Sequence, residues 1–104
     1  MKKIIFPLLV ASLSSAALAN DYLVDQKDKA FSKKSLKIKV GDTVEFRNSD
    51  PFFHNVFSLS DVKSFDLGSY AQGSSKKVVF DKPGKVEVEC SIHPQMQMVI
   101  EVEK

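Results

Sequence analysis

An alternation of apolar and polar side chains with a period of two runs through much of the chain. It constrains the fold more than any other feature of the sequence. Apolar residues alternate with polar ones in 36–40 and 43–47, and the pattern returns in 86–90 and 100–103. Side chains along a β-strand point alternately to opposite faces, so each segment is predicted to be a strand with one buried and one solvated face.

Turn signals separate these segments. Gly41-Asp42 and the run 81–84, which contains Asp, Pro and Gly, would each reverse the chain. Several short strands with such turns predict an antiparallel β-sandwich. The tract 59–75 is rich in Ser and Gly and is predicted to be a long connection between the sheets, with room for a short helical turn.

The first nineteen residues have the three-part layout of a secretory signal peptide. A lysine pair is followed by the apolar run 4–13, which is shorter than the ~20 residues that cross a bilayer. Small residues at 17 and 19 suit a cleavage site. We therefore predict a signal peptide over 1–19 and a single exported domain over 20–104, located in a bacterial periplasm and without a membrane span.

Cleavage changes the charge of the protein. The full chain has 15 Lys and Arg against 13 Asp and Glu, and the signal peptide holds two of the lysines and no acidic residue, so 13 of each remain. A domain with no net charge and no basic stripe gives no support to nucleic-acid binding.

The single cysteine is unusual, because small exported domains commonly gain stability from disulfides. Cys90, His93 and Met96 follow one another at three-residue intervals where a predicted strand ends, and His54 lies upstream after a proline break. Singly, each could be an ordinary core or surface residue. Together, two imidazoles, a thiolate and a thioether are the donors of a type 1 copper site, a His2Cys plane with a long axial Met.

A zinc site is the weaker interpretation of the same residues, because a Cys-x2-His pair in a zinc site usually comes with a second such pair. The sequence has only one cysteine. We therefore predict one copper ion bound by His54, Cys90, His93 and Met96.

The motifs resemble those of the cupredoxins, the small blue-copper proteins, and most closely the plastocyanin and amicyanin branch. The resemblance lies in 39–48, 53–56, 80–84 and 90–96. It implies a Greek-key antiparallel β-sandwich of about seven to eight strands with copper near one end. It also implies a soluble electron carrier that cycles between Cu(I) and Cu(II).

The resemblance also assigns roles by position. His54, Cys90 and His93 would be equatorial ligands, and Asn55 would hydrogen-bond across to the loop that contains Cys90. Such outer contacts orient the ligands of a metal site.

Two methionines could supply the axial ligand. Met96 has the amicyanin-like spacing from His93, and Met98 has the plastocyanin-like spacing. In both relatives the fourth and sixth residues after the axial Met are inward-facing aliphatics. Counting from Met96 reaches two aliphatic residues, whereas counting from Met98 reaches Lys104, so Met96 is favoured and Met98 is predicted to be a core residue.

By the same resemblance, the edge of His93 would lie in an apolar patch that docks a redox partner, either a cytochrome or a dehydrogenase. Segments 51–52 and 94–95 would surround it, with Phe52 pointing outward and Phe53 inward. No acidic cluster is evident, so strong electrostatic steering is not predicted. The protein is expected to act as a monomer.

Two functions from different classes remain open. The first is a soluble periplasmic electron carrier. The second is a periplasmic copper-binding or copper-delivery protein without an electron-transfer role, which the pair Met96 and Met98 favours because thioethers suit Cu(I). An enzyme is not expected, because both histidines are used in the metal site and no catalytic pair of carboxylates is recognisable.

Overall fold

The computed structural model describes residues 18–104, which form nine β-strands and no helix. The strands are β1 (Asp21–Lys27), β2 (Ala30–Phe31), β3 (Ser35–Lys39), β4 (Thr43–Asn48), β5 (His54–Ser60), β6 (Lys63–Tyr70), β7 (Ser75–Val79), β8 (Gly84–Glu89) and β9 (Gln97–Glu103). The predicted all-β fold is confirmed. Residues 1–17 of the predicted signal peptide lie outside the described residues.

The strands form two sheets, with the orders β2-β1-β4-β7 and β3-β9-β8-β5-β6. Most neighbours are antiparallel, as predicted, but β1 runs parallel to β4 and β3 runs parallel to β9. Strand β1 was not evident in the sequence, because Gln26 occupies a fully buried position while Leu23 is 43% exposed. This exchange of polar and apolar positions hides the alternation.

Alternation decides which side chains form the core. Val86, Val88 and Cys90 are all fully buried, as their shared parity predicts. Phe46 on β4 and Phe65 on β6 belong to different sheets, and their ring centroids are 6.3 Å apart. The core is therefore formed by side chains from both inner faces, as in other β-sandwiches.

The prediction of a long connection over 59–75 is wrong. This tract contains β6, an edge strand of eight residues that pairs with β5. Phe65 and Leu67 pack against the core, while Asp66 between them is polar and exposed. The alternation with a period of two is present in β6. It is hard to recognise, because only two apolar residues mark it in a strand that also contains Ser and Gly.

Strands β6 and β7 are edge strands of the two sheets, and two local features distinguish this edge of the sandwich. The pairing of β5 with β6 shifts register next to Asn55, and Gly68 has a φ of +75° there. Lys76 on β7 donates a hydrogen bond of 2.6 Å to the carbonyl oxygen of Leu67 on β6. One side chain thus links the edges of the two sheets.

Asp42 ties together three segments where β3 turns into β4. Its buried carboxylate accepts backbone N–H groups from Asn20 and Lys39, each at 2.8 Å, and its carbonyl accepts the N–H of Phe80 at 2.9 Å. The hydrogen bond from Asn20 lowers the pKa of Asp42, and that from Lys39 adds to this, although burial acts in the opposite direction.

We expect Asp42→Asn to lower the free energy of unfolding at pH 7 by about 1–2 kcal/mol, because an amide replaces one acceptor oxygen with a donor. The folded-state pKa lies below the ordinary 3.8, so this stabilisation is present above pH 3.8 and is lost as the pH falls through the folded-state value. Urea unfolding of the wild type and of Asp42→Asn should show that the difference between their free energies of unfolding decreases in acid. A constant difference down to about pH 2 would contradict the assignment.

Candidate metal centre

Three of the predicted ligands converge at one end of the sandwich. His54 is the first residue of β5, Cys90 directly follows β8, and His93 lies in the loop between β8 and β9. Because β5 and β8 are antiparallel neighbours, the start of β5 lies beside the end of β8. His93 then reaches the same place through a short loop.

The donor atoms of these side chains are close together. Nδ1 of His54 lies 3.7 Å from Sγ of Cys90 and 3.2 Å from Nδ1 of His93, and all three atoms lie within 4.8 Å of one another. His54 and Cys90 are buried, and His93 is half-buried. An ion bonded to nitrogen and sulfur at about 2.0–2.3 Å fits between such atoms. The His, Cys, His donor set matches a type 1 copper site.

Both candidate axial methionines are buried. The backbone N–H of Cys90 donates to the carbonyl of Met96 at 3.3 Å, whereas Met98 pairs with Val88 within β8 and β9. Met96 therefore lies directly across from Cys90. Met98 lies two residues further along the strands, about 6–7 Å away along their direction.

Hydrogen bonds hold the loop between β8 and β9. The N–H of Ser91 donates to Oδ1 of Asn55 at 2.7 Å, and the N–H of Met96 donates to the carbonyl of His93 at 2.8 Å. The predicted contact of Asn55 with the loop that contains Cys90 is confirmed. It joins the start of β5 to the segment that carries the other ligands.

Asp50 is a functional candidate that was missed in the sequence. Its carboxylate lies 2.7 Å from Nε2 of His54 and accepts the backbone N–H groups of Asp28 at 2.7 Å and Lys29 at 3.0 Å. Burial would raise the pKa of Asp50, but the hydrogen bonds from His54, Lys29 and Asp28 outweigh it and the pKa is lowered. The sequence signal for this contact was the position of a carboxylate four residues before His54, but these residues look like an ordinary turn.

Asn48 lies in the segment 39–48 that carries the resemblance, but its role at the site was not predicted. Its Nδ2 donates to the carbonyls of Phe52 at 2.8 Å and Tyr70 at 3.0 Å, and its Oδ1 accepts the N–H of Asp50 at 2.8 Å. Asn48 is fully buried at the end of β4. Its side chain therefore fixes the path of the segment that leads into His54.

The predicted orientation of the two phenylalanines is wrong. Phe52 is half-buried, and its ring centroid lies 5.3 Å from those of both His54 and His93. Phe53 is 55% exposed. It directly precedes His54, and neighbouring residues of an extended chain point to opposite sides, so the inward histidine turns Phe53 outward.

His93 is the ligand candidate nearest to solvent. Its flanking residues Ile92 and Pro94 are exposed, and Ile92 has 46% of its surface accessible. Burial lowers the pKa of His93, and the nearby His54 and Lys29 act in the same direction while Asp50 opposes them. The ring is therefore more readily neutral, which is the form that binds metal.

Comparisons with known proteins agree with this geometry. The family described as copper binding proteins, plastocyanin/azurin family, matches residues 19–103. The methylamine utilization protein MauL of Methylorubrum extorquens is 29% identical over 106 residues, which cover 98% of this chain and 93% of that protein.

Solved structures share the fold. An amicyanin variant in its Cu(I) form is 25% identical with a TM-score of 0.75, over 86% of this chain and 89% of that chain. A copper-containing nitrite reductase from Thermus scotoductus is 30% identical with a TM-score of 0.76 over 81% of this chain, which spans only 22% of that protein. A purple cupredoxin from Nitrosopumilus maritimus, 24% identical, has a TM-score of 0.71 over 80% of this chain and 100% of that chain.

Proposed function

The chain belongs to the plastocyanin/azurin family of copper-binding proteins, and on that premise we propose that it is an electron carrier with one type 1 copper ion. The observation that carries the proposal is the donor cluster of His54, Cys90 and His93. Copper held there supplies a one-electron Cu(I)/Cu(II) couple. The carrier takes one electron from a donor protein and passes it to an acceptor, and no covalent bond is made or broken.

The surroundings of the cluster suit electron transfer. His54 and Cys90 lie at the ends of paired strands, and Asn55 fixes the loop through Ser91. Ligands held by the fold change little between oxidation states, which keeps the reorganisation energy small. His93, the half-buried member of the cluster, gives electrons a short path to the surface.

Met96 is our proposed axial ligand. Its position directly across from Cys90 supports this choice, because Met98 lies two cross-strand pairs further from the cluster. A weak thioether at this position tunes the reduction potential of such sites.

Exposed apolar side chains next to the ligands support docking of a redox protein, a cytochrome or a dehydrogenase. Ile92 and Pro94 flank His93 and are exposed, and the centroid of the half-buried Phe52 ring lies 5.3 Å from that of His93; we call these three residues the His93 patch. Small apolar contacts suit brief encounters between electron-transfer proteins. We infer that the protein acts there as a monomer.

We further infer a periplasmic protein without catalytic activity. The predicted signal peptide supports export. Within residues 18–104, no helix is long and apolar enough to cross a membrane. Both histidines and the single cysteine of the sequence belong to the donor cluster, so none of them is free to act as a nucleophile or a base.

Electron transfer is tested by optical spectroscopy of the purified domain loaded with Cu(II). We expect intense visible absorption from the thiolate of Cys90 to copper, bleached reversibly by a one-electron reductant. Cys90→Ser should abolish the band, because the serine oxygen is a harder donor and supplies no thiolate. A colourless complex, or a protein that transfers Cu(I) to an acceptor protein yet exchanges electrons only slowly, would contradict the proposal and favour copper delivery.

The axial assignment is tested with a matched pair of variants, Met96→Leu and Met98→Leu. Both exchanges conserve volume and should cost less than about 1.5 kcal/mol of stability. Only Met96→Leu should shift the visible spectrum and raise the reduction potential, because it removes a thioether that contacts copper. The opposite result would assign the axial position to Met98.

The His93 patch is tested without knowing the partner, through electron self-exchange between Cu(I) and Cu(II) copies of the protein. Ile92→Glu should slow self-exchange about tenfold at low salt by placing like charges in the contact. Leu59→Glu is the matched control, because Leu59 is 78% exposed and about 16 Å along β5 from His54. Equal slowing by both variants would argue against the patch.

A further inference from the structure

We propose that Asp50 is a positioning residue that holds His54 in the tautomer with its proton on Nε2 and lowers the reduction potential of the copper centre through its negative charge. The inference rests on the proposed function in one respect, that His54 binds copper through Nδ1. It adds a residue outside the predicted ligand set that controls the chemistry of a ligand.

The hydrogen bonds around Asp50 indicate the protonation state of its carboxylate. Oδ1 accepts the N–H of Asp28 at 2.7 Å, and Oδ2 accepts the N–H of Lys29 at 3.0 Å and lies 2.7 Å from Nε2 of His54. Asp28 and Lys29 supply backbone N–H groups, which can only donate and so favour the ionised carboxylate, and an ionised carboxylate can only accept. His54 must therefore donate from Nε2.

This tautomer prepares the metal site. A neutral imidazole with its proton on Nε2 has its free lone pair on Nδ1. Nδ1 of His54 is the atom that faces Sγ of Cys90 at 3.7 Å and Nδ1 of His93 at 3.2 Å. Asp50 thus aims a basic lone pair at the metal position and fixes the ring orientation, as carboxylates behind metal-bound histidines do.

The position of Asp50 is determined by two other parts of the fold. Asp28 and Lys29 form the turn between β1 and β2 with φ values of 56° and 57°, and this left-handed geometry directs consecutive N–H groups at the carboxylate. Asn48 accepts the N–H of Asp50 at 2.8 Å. The carboxylate is thereby held in one orientation against His54.

The charge of Asp50 acts on the metal position across one imidazole ring. The side chains of His54 and Asp50 are 0% and 4% exposed, so water and salt screen this charge weakly. A fixed negative charge favours the more positive Cu(II) over Cu(I), which lowers the potential. The cationic group of Lys29 lies 5.7 Å from the centroid of the Phe52 ring, but Lys29 is exposed and its charge is screened by solvent.

The experiment compares copper-loaded Asp50→Asn with copper-loaded Asp42→Asn by voltammetry. Asp42 is a matched control: it is equally buried and accepts two backbone N–H groups, yet lies at the other end of β4, about 20 Å away. In Asp50→Asn the new amide keeps an acceptor oxygen near His54 and loses the charge. We expect Asp50→Asn to raise the ratio of Cu(I) to Cu(II) affinity at least about tenfold, a rise of about 59 mV, and Asp42→Asn to leave it unchanged.

A second measurement needs no variant and covers the case in which Asp50→Asn does not fold. Long-range ¹H–¹⁵N NMR of the wild-type protein before copper is added should show the His54 proton on Nε2, protected from exchange with solvent, because no Nδ1–copper bond then fixes the tautomer. A proton on Nδ1, or equal potentials for Asp50→Asn and Asp42→Asn, would overturn the role of Asp50. A wild-type protein that binds no copper in a coloured Cu(II) site would instead overturn the proposed function, so the two failures are distinguishable.

Discussion

The antiparallel pairing of β5 with β8 determines where the ligands meet, because the start of one strand must lie beside the end of its neighbour. His54 opens β5 and Cys90 directly follows β8, so their approach follows from strand order. Strand β9 then pairs back on β8, and the short loop between them carries His93 and Met96 to the same point. The metal centre is thus a consequence of the sheet rather than an addition to it.

The same end of the sandwich buries polar side chains that elsewhere would face water. Asn48, Asp50 and His54 are buried, and each forms hydrogen bonds with the others or with nearby backbone groups. A satisfied buried network of this kind specifies one arrangement, because each broken bond would leave a costly unpaired group. Bound metal adds to the stability, since its ligands come together only in the folded chain.

The sequence predicts features that depend on neighbouring residues better than features that depend on residues far apart in the chain. Parity along a strand predicts the burial of Val86 and Val88, and local spacing predicts which side chains cluster. Strand β6 was missed because an edge strand needs few apolar residues. The proposed role of Asp50 is only hinted at by its spacing from His54, because it also depends on the N–H groups of a turn 21 and 22 residues away. The orientation of Phe52 and Phe53 likewise follows from where His54 points.

The hydrogen bond from Lys76 to the carbonyl of Leu67 also affects the association of the folded protein with other chains. Open sheet edges are templates on which further strands can add, a first step towards amyloid. On β6 the carbonyl of Leu67 is already occupied at 2.6 Å, and the neighbouring Gly68 lies at a break in the ladder. An incoming strand would find an acceptor already engaged and a bent backbone. The link that joins the two sheets therefore also discourages intermolecular growth at that edge.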